Sequence, residues 1–183
     1  MRRSWSATLS CVGILTVAVG LGVASAQGTA QPTGDQDFVS RAALLNMAAI
    51  QIGHMATKQA QRADVKEFAQ ATIEDHLKAQ KQLADAASGA GVRWPTKLDD
   101  KYRQIEQRLS KLNNGQFDRE YMKAMIDRDR DVEKMLAARA TGGGGEADTL
   151  AAKVNQWASE TLPEVRAHLK EAEQVIAQIG NSK

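Results

Sequence analysis

One cysteine, three prolines and no concentrated run of one charge are found in the 183 residues. Cys11 lies in an apolar leading segment, so everything behind that segment is free of thiols. Disulfides, thiolate metal sites and cysteine nucleophiles are thereby excluded from the remainder, whatever the redox state of its compartment. Strand signals are also missing, because hydrophobic alternation is short and β-branched residues are scattered. No serine nucleophile elbow occurs. The glycine run after Thr141 lacks the Lys-Ser or Lys-Thr continuation of a phosphate loop, and reads as a helix terminator and connector.

The leading segment reads as an export signal. Arg2 and Arg3 precede an apolar run from Leu9 to Val23, and Ala24-Ser25-Ala26 suits cleavage before Gln27. The run is short for a membrane-spanning helix and no stop-transfer charges follow it at once. Residues 1–26 are therefore assigned as signal peptide, residues 27–36 as a polar flexible leader and residues 37–180 as a helical bundle domain. Arg2 and Arg3 supply the whole formal charge of +2, so the mature part is neutral. Without a basic stripe it has no electrostatic basis for nucleic-acid binding.

Apolar residues recur at helical spacing through the rest of the chain. Asp37 is expected to cap a first helix reaching about Ala60, with Phe38, Ala42, Leu45, Ala48, Ile52 and Met55 on its inner face. Asp64, with Glu67 three residues on, marks the start of a second helix that ends near Ser88-Gly89. Trp94-Pro95 follows in extended geometry, with Trp94 expected to lid one end of the bundle. A short segment from Leu98 to Leu112 is interrupted by Asn113-Asn114-Gly115, after which Asp118 is the expected cap of a helix to Ala140. The last helical region is expected from Glu146, with Pro163 bending it or forcing a restart. The fold class is all-α, a four-helix bundle with an additional short helix.

Three polar residues interrupt the apolar stripes: His76, Asp129 and His168. An inward ionised Asp129 requires a histidine, an arginine, water or a metal. Two imidazoles and a carboxylate that converge can ligate zinc, iron or manganese, with Asp75 as a further ligand or as the partner that orients His76. The competing reading is a buried hydrogen-bond network. The Glu-x-x-His pairs of di-iron bundles are absent, and Glu164 with His168, four residues apart, is a common surface pattern. Around Asp129, the string Asp127-Arg128-Asp129-Arg130-Asp131 reads as a solvated charge face with Asp129 its inward exception. His54 is placed at a flank, exposed or interfacial. Five methionines, among them Met47, Met55 and Met122, read as adaptable core filling, with copper handling the competitor.

Four ordered blocks carry a family resemblance. They are Asp37-Phe38-Val39 with Gly53-His54-Met55-Ala56, Val65-Lys66-Glu67-Phe68-Ala69 with Asp75-His76, Phe117-Asp118-Arg119-Glu120-Tyr121 with Met125-Ile126, and Thr161-Leu162-Pro163 with His168-Leu169. In this order, across residues 37 to 177, they resemble the bacterial domain of unknown function 4142. The resemblance implies a ferritin-like bundle in the cell envelope, periplasmic or secreted, with peripheral outer-membrane association as an alternative. It brings no established reaction. Asp75-His76 and His168 match the family pattern, whereas Ala49 or Gln51 stands where members commonly have glutamate, and a histidine common near Asp129 is missing. The expected function is an exported binding module for a small molecule or an envelope protein, or an envelope-stress role exercised through such binding. The alternatives are a metal-binding or metal-dependent redox protein and a structural interaction module, with a homodimer left open.

Overall fold

A computed structural model describes residues 34–142 and 146–181. The expected signal peptide and most of the expected leader lie outside these residues. Five helices follow in chain order: α1 (Asp35–Gln59), α2 (Ala63–Ala86), α3 (Asp100–Leu109), α4 (Asn114–Ala140) and α5 (Leu150–Asn181). No strand occurs among the described residues, and none of their helices is long and apolar enough to cross a membrane.

Four long helices surround one core. α1 packs along α2 and α4 along α5, and the two pairs meet through α2–α5 and α1–α4, with the short α3 on α4. Only Ala60-Gln61-Arg62 separates α1 from α2, which makes them an antiparallel hairpin. Directions at the two ends follow from cross-bonds. Asp118, near the start of α4, accepts hydrogen bonds at 3.0 Å from the backbone N–H groups of Gln61 and Arg62, at the start of α2. Arg139, at the end of α4, pairs with Asp35 at the start of α1. α2 and α4 are therefore parallel, and the long connection carrying α3 crosses the bundle from one end to the other. The order is up, down, down, up.

The helix boundaries depart from the sequence expectations where capping chemistry was misjudged. α1 begins at Asp35 behind Gly34, two residues earlier than Asp37, so Asp35 and Gln36 belong to the helix and not to the leader. α4 begins at Asn114 instead of Asp118, because Asn114 takes a left-handed φ of 54° that asparagine tolerates and turns the chain into the helix at once. α5 begins at Leu150 instead of Glu146; Thr149 Oγ1 accepts from the Ala152 N–H at 3.2 Å and makes the start. At the start of α2, Asp64 bonds its neighbours Val65 and Arg62, while the orphan amides of the preceding turn are met by Asp118 from another helix. Pro163 sits inside an uninterrupted α5. Pro163 and Ser159, whose carbonyl would accept from position 163, are both exposed, so the missing backbone donor falls on the solvent side of the helix.

The expected stripes form the core. Phe68, Tyr121, Phe117, Met122, Met125 and Leu136 are almost fully buried. The methionines on α4 lie inside it, as the core-filling reading requires. At one point the packing depends on a missing side chain: a Cβ on Gly53 would stand 2.8 Å from Ile73 Cγ1 of α2. Trp94 does not close the bundle end. It is 36% exposed and lies in a surface groove against α1.

Candidate functional site

Halfway along the four long helices the apolar core gives way to a polar layer. α1 contributes Asn46, α2 contributes Thr72 and His76, α4 contributes Arg128 and Asp129, and α5 contributes His168, all buried. Each sits on a seven- or four-residue line of core positions: Val39–Asn46–Gly53, Phe68–Thr72–His76, Tyr121–Arg128–Met135, Met122–Asp129–Leu136 and Thr161–His168–Val175. The fold therefore has no choice but to bury them together.

Hydrogen bonds fix their orientation. His76 Nδ1 lies 2.9 Å from Asn46 Oδ1. With a carboxamide oxygen opposite, Nδ1 carries the hydrogen, and Nε2 keeps its lone pair. Burial pushes the His76 imidazole well below its ordinary value, and the charges of Arg128 and His168 add to the effect, so the ring is neutral near pH 7. His168 Nε2 donates to Asp75 Oδ2 at 2.8 Å, and that carboxylate is half exposed at the rim. The two imidazole rings stand 5.7 Å apart, tilted by 60°, and Phe68 meets the edge of His168.

Asp129 pairs with Arg128, its neighbour in sequence. Arg128 also donates from Nε and Nη2 to the Leu45 carbonyl of α1, at 3.3 and 3.1 Å. Burial raises the Asp129 carboxyl above its usual range, with the Arg128 guanidinium and His168 opposing that shift. A buried Arg⁺–Asp⁻ pair is neutral as a unit and so avoids the cost of an isolated charge. Tyr121 faces Thr72, and burial pushes its phenol upward; Thr72 Oγ1 gives its own hydrogen to the Phe68 carbonyl at 2.8 Å.

Three buried polar atoms in this layer have no hydrogen-bond partner within the protein, and neither has the Tyr121 hydroxyl beside them: Asn46 Nδ2, His76 Nε2 and Asp129 Oδ2. One is a donor and two are acceptors. Each such atom costs roughly 1–3 kcal/mol if nothing meets it.

The structure brings His76, Asp129 and His168 to one level, a convergence that the apolar stripes leave open. It reassigns their supports. Asp75 orients His168 and not His76, whose partner is Asn46. Asp129 has an arginine, and Arg128 is 2% exposed rather than part of a solvated face. Among the described residues no group of three or more His, Cys, Asp or Glu side chains stands in a position to hold a metal ion. His54 is exposed on α1, on the flank expected for it. Sequence reasoning missed Asn46 and the burial of Arg128, and gave Asp118 a role only at the start of α4; the seven-residue spacing of Asn46 from Val39 and of Arg128 from Tyr121 was the available signal.

No match is found among curated proteins or among solved structures. A family model described as "Domain of unknown function (DUF4142)" matches residues 21–175. That span contains most of the described bundle and every residue of the polar layer, and the chain belongs to this family.

Proposed function

We propose that the chain is an exported binding protein, a ferritin-like bundle of the cell envelope that holds a small polar guest in the layer of Asn46, His76, Arg128, Asp129 and His168. The observation that carries this reading is the meeting at one level of three unpartnered atoms from α1, α2 and α4, Asn46 Nδ2, His76 Nε2 and Asp129 Oδ2. Natural cores rarely leave such groups unmet. A guest that donates to His76 and Asp129 and accepts from Asn46 satisfies all three, and a neutral one leaves the Arg128–Asp129 charge balance intact. The paired arginines and small-residue site at the start of the chain support export.

A second reading places zinc, iron or manganese in the same layer, on His76, Asp129 and His168 with Asp75 behind His168. It is favoured by the way His76 is oriented, with Nδ1 held by Asn46 and Nε2 left over, and by His168 Nε2 resting on Asp75. A dication there would sit beside the Arg128 guanidinium, a cost the neutral guest does not carry.

Native mass spectrometry of the full chain, purified without added metal, tests both readings. A stoichiometric non-protein mass on the parent, lost in His76→Ala and in Asp129→Asn, is the expected result. Elemental analysis of the same sample assigns that mass to a metal or to an organic guest. A parent that carries nothing but water overturns the first reading.

A further inference from the structure

Thirteen residues without regular structure, Ala87 to Asp99, link α2 to α3. Connections of this length in a compact domain are uncommon and usually functional when ordered. This one is pinned. Gln36 Nε2 donates to the Ala90 carbonyl at 2.7 Å, Ser40 Oγ to the Arg93 carbonyl at 2.8 Å, and Arg41 Nη1 to Asp99 at 3.0 Å, so three residues of α1 hold it. Arg103 Nη1 anchors the far end on the Leu98 carbonyl at 2.9 Å, and Asp99 caps α3 through the Tyr102 N–H at 3.0 Å.

Between the connector and α1 lies an open groove of about 720 Å³. Its apolar wall is Leu44, Trp94, Pro95 and Leu98. Trp94 is one of two large apolar side chains left exposed among the described residues. The charges around it are unequal. Arg41 is engaged by Asp99 and Arg103 by Asp100, which uses up both acidic residues of the groove. Arg93 and Lys97 flank Trp94, are exposed, and pair with no carboxylate among the described residues.

We infer that this groove docks an acidic, apolar peptide segment of another envelope protein, with an apolar side chain against Trp94 and Pro95 and carboxylates on Arg93 and Lys97. Exposed tryptophan beside arginine is the composition of interface hot spots, and a prearranged connector lowers the ordering cost of docking. Trp94 lies along the groove with Leu44, Pro95 and Leu98, a wall against which an extended peptide can lie.

Panning random dodecapeptides displayed on phage against the immobilised full chain tests the assignment. Enriched sequences should place an aromatic or large aliphatic residue within two positions of Asp or Glu. Synthetic copies should lose at least tenfold in affinity for Trp94→Ala, and the double variant Arg93→Glu with Lys97→Glu should enrich basic sequences instead. These two are exposed, so the charge reversal is readable without disturbing the fold. Enrichment without acidic bias, enrichment that survives both variants, or no enrichment overturns the inference. Binding to phosphatidylglycerol vesicles that depends on Trp94, or a dimer abolished by Trp94→Ala, would give the groove to a membrane or to a second copy and overturn it as well.

Discussion

Replacing Arg128 by methionine would leave Asp129 buried beside a hydrophobic chain and two imidazoles. The loss of its partner should lower stability by about 3–5 kcal/mol, read as a lower urea midpoint. Arg128→Met combined with Asp129→Leu should recover most of that loss, because the pair is removed as a unit. His76 gives a pH signature. Its folded-state value lies well below the 6.5 of the unfolded chain, so the unfolded state binds more protons as pH falls. The contribution is fully present above about pH 6.5 and is lost as pH drops from there toward the folded value. The buried Asp129 carboxyl has the opposite sign, since its raised value favours the folded state at low pH. Urea midpoints measured from pH 8 to pH 5 should fall for the parent and stay flatter for His76→Gln. At this scale the inward histidines and Asp129 were legible because each interrupts a narrow apolar stripe. Arg128 was not, since α4 is covered by α1 and α5 together and buries a face wide enough to take two adjacent residues. A one-stripe reading assigns only one of such a pair to the interior.

Between elements, the α1–α2 contact rests on Gly53. Ala in its place would gain helix propensity of about 1 kcal/mol but must displace Ile73, and overpacking costs about 1–3 kcal/mol. With the ideal Cβ only 2.8 Å from Ile73 Cγ1, Gly53→Ala should lower the melting temperature, and Gly53→Ala with Ile73→Val should restore part of it. Asp118 joins α4 to the start of α2 through two charge-assisted bonds. Asp118→Ala should cost about 2–4 kcal/mol and should accelerate amide exchange at Gln61 and Arg62 first. The existence of the long helices was readable from periodicity alone. Their starts were not, because the groups that cap them come from residues such as Asp118 that are remote in sequence, and because Asn114 spares α4 the wait for Asp118.

For the whole molecule, helical periodicity and the lack of strand signals sufficed to anticipate an all-α bundle of four long helices and a short one. Local pattern could not reveal that the crossover reverses the order of the second pair, since that depends on contacts such as Arg139 with Asp35, over one hundred positions apart. Nor could it show that the middle of every long helix contributes to one polar layer, which follows only when the levels and inward faces of all four are set against one another. The same arrangement separates the two ends of the chain's helical part. Phe38 meets Trp157 at one end, and α5 continues 24 residues past that level, on the order of 35 Å at 1.5 Å per residue. A fluorophore or affinity tag fused behind α5 therefore stays clear of the Trp94 groove, whereas one placed ahead of α1 lies on the groove's own doorstep and would compete with whatever docks there.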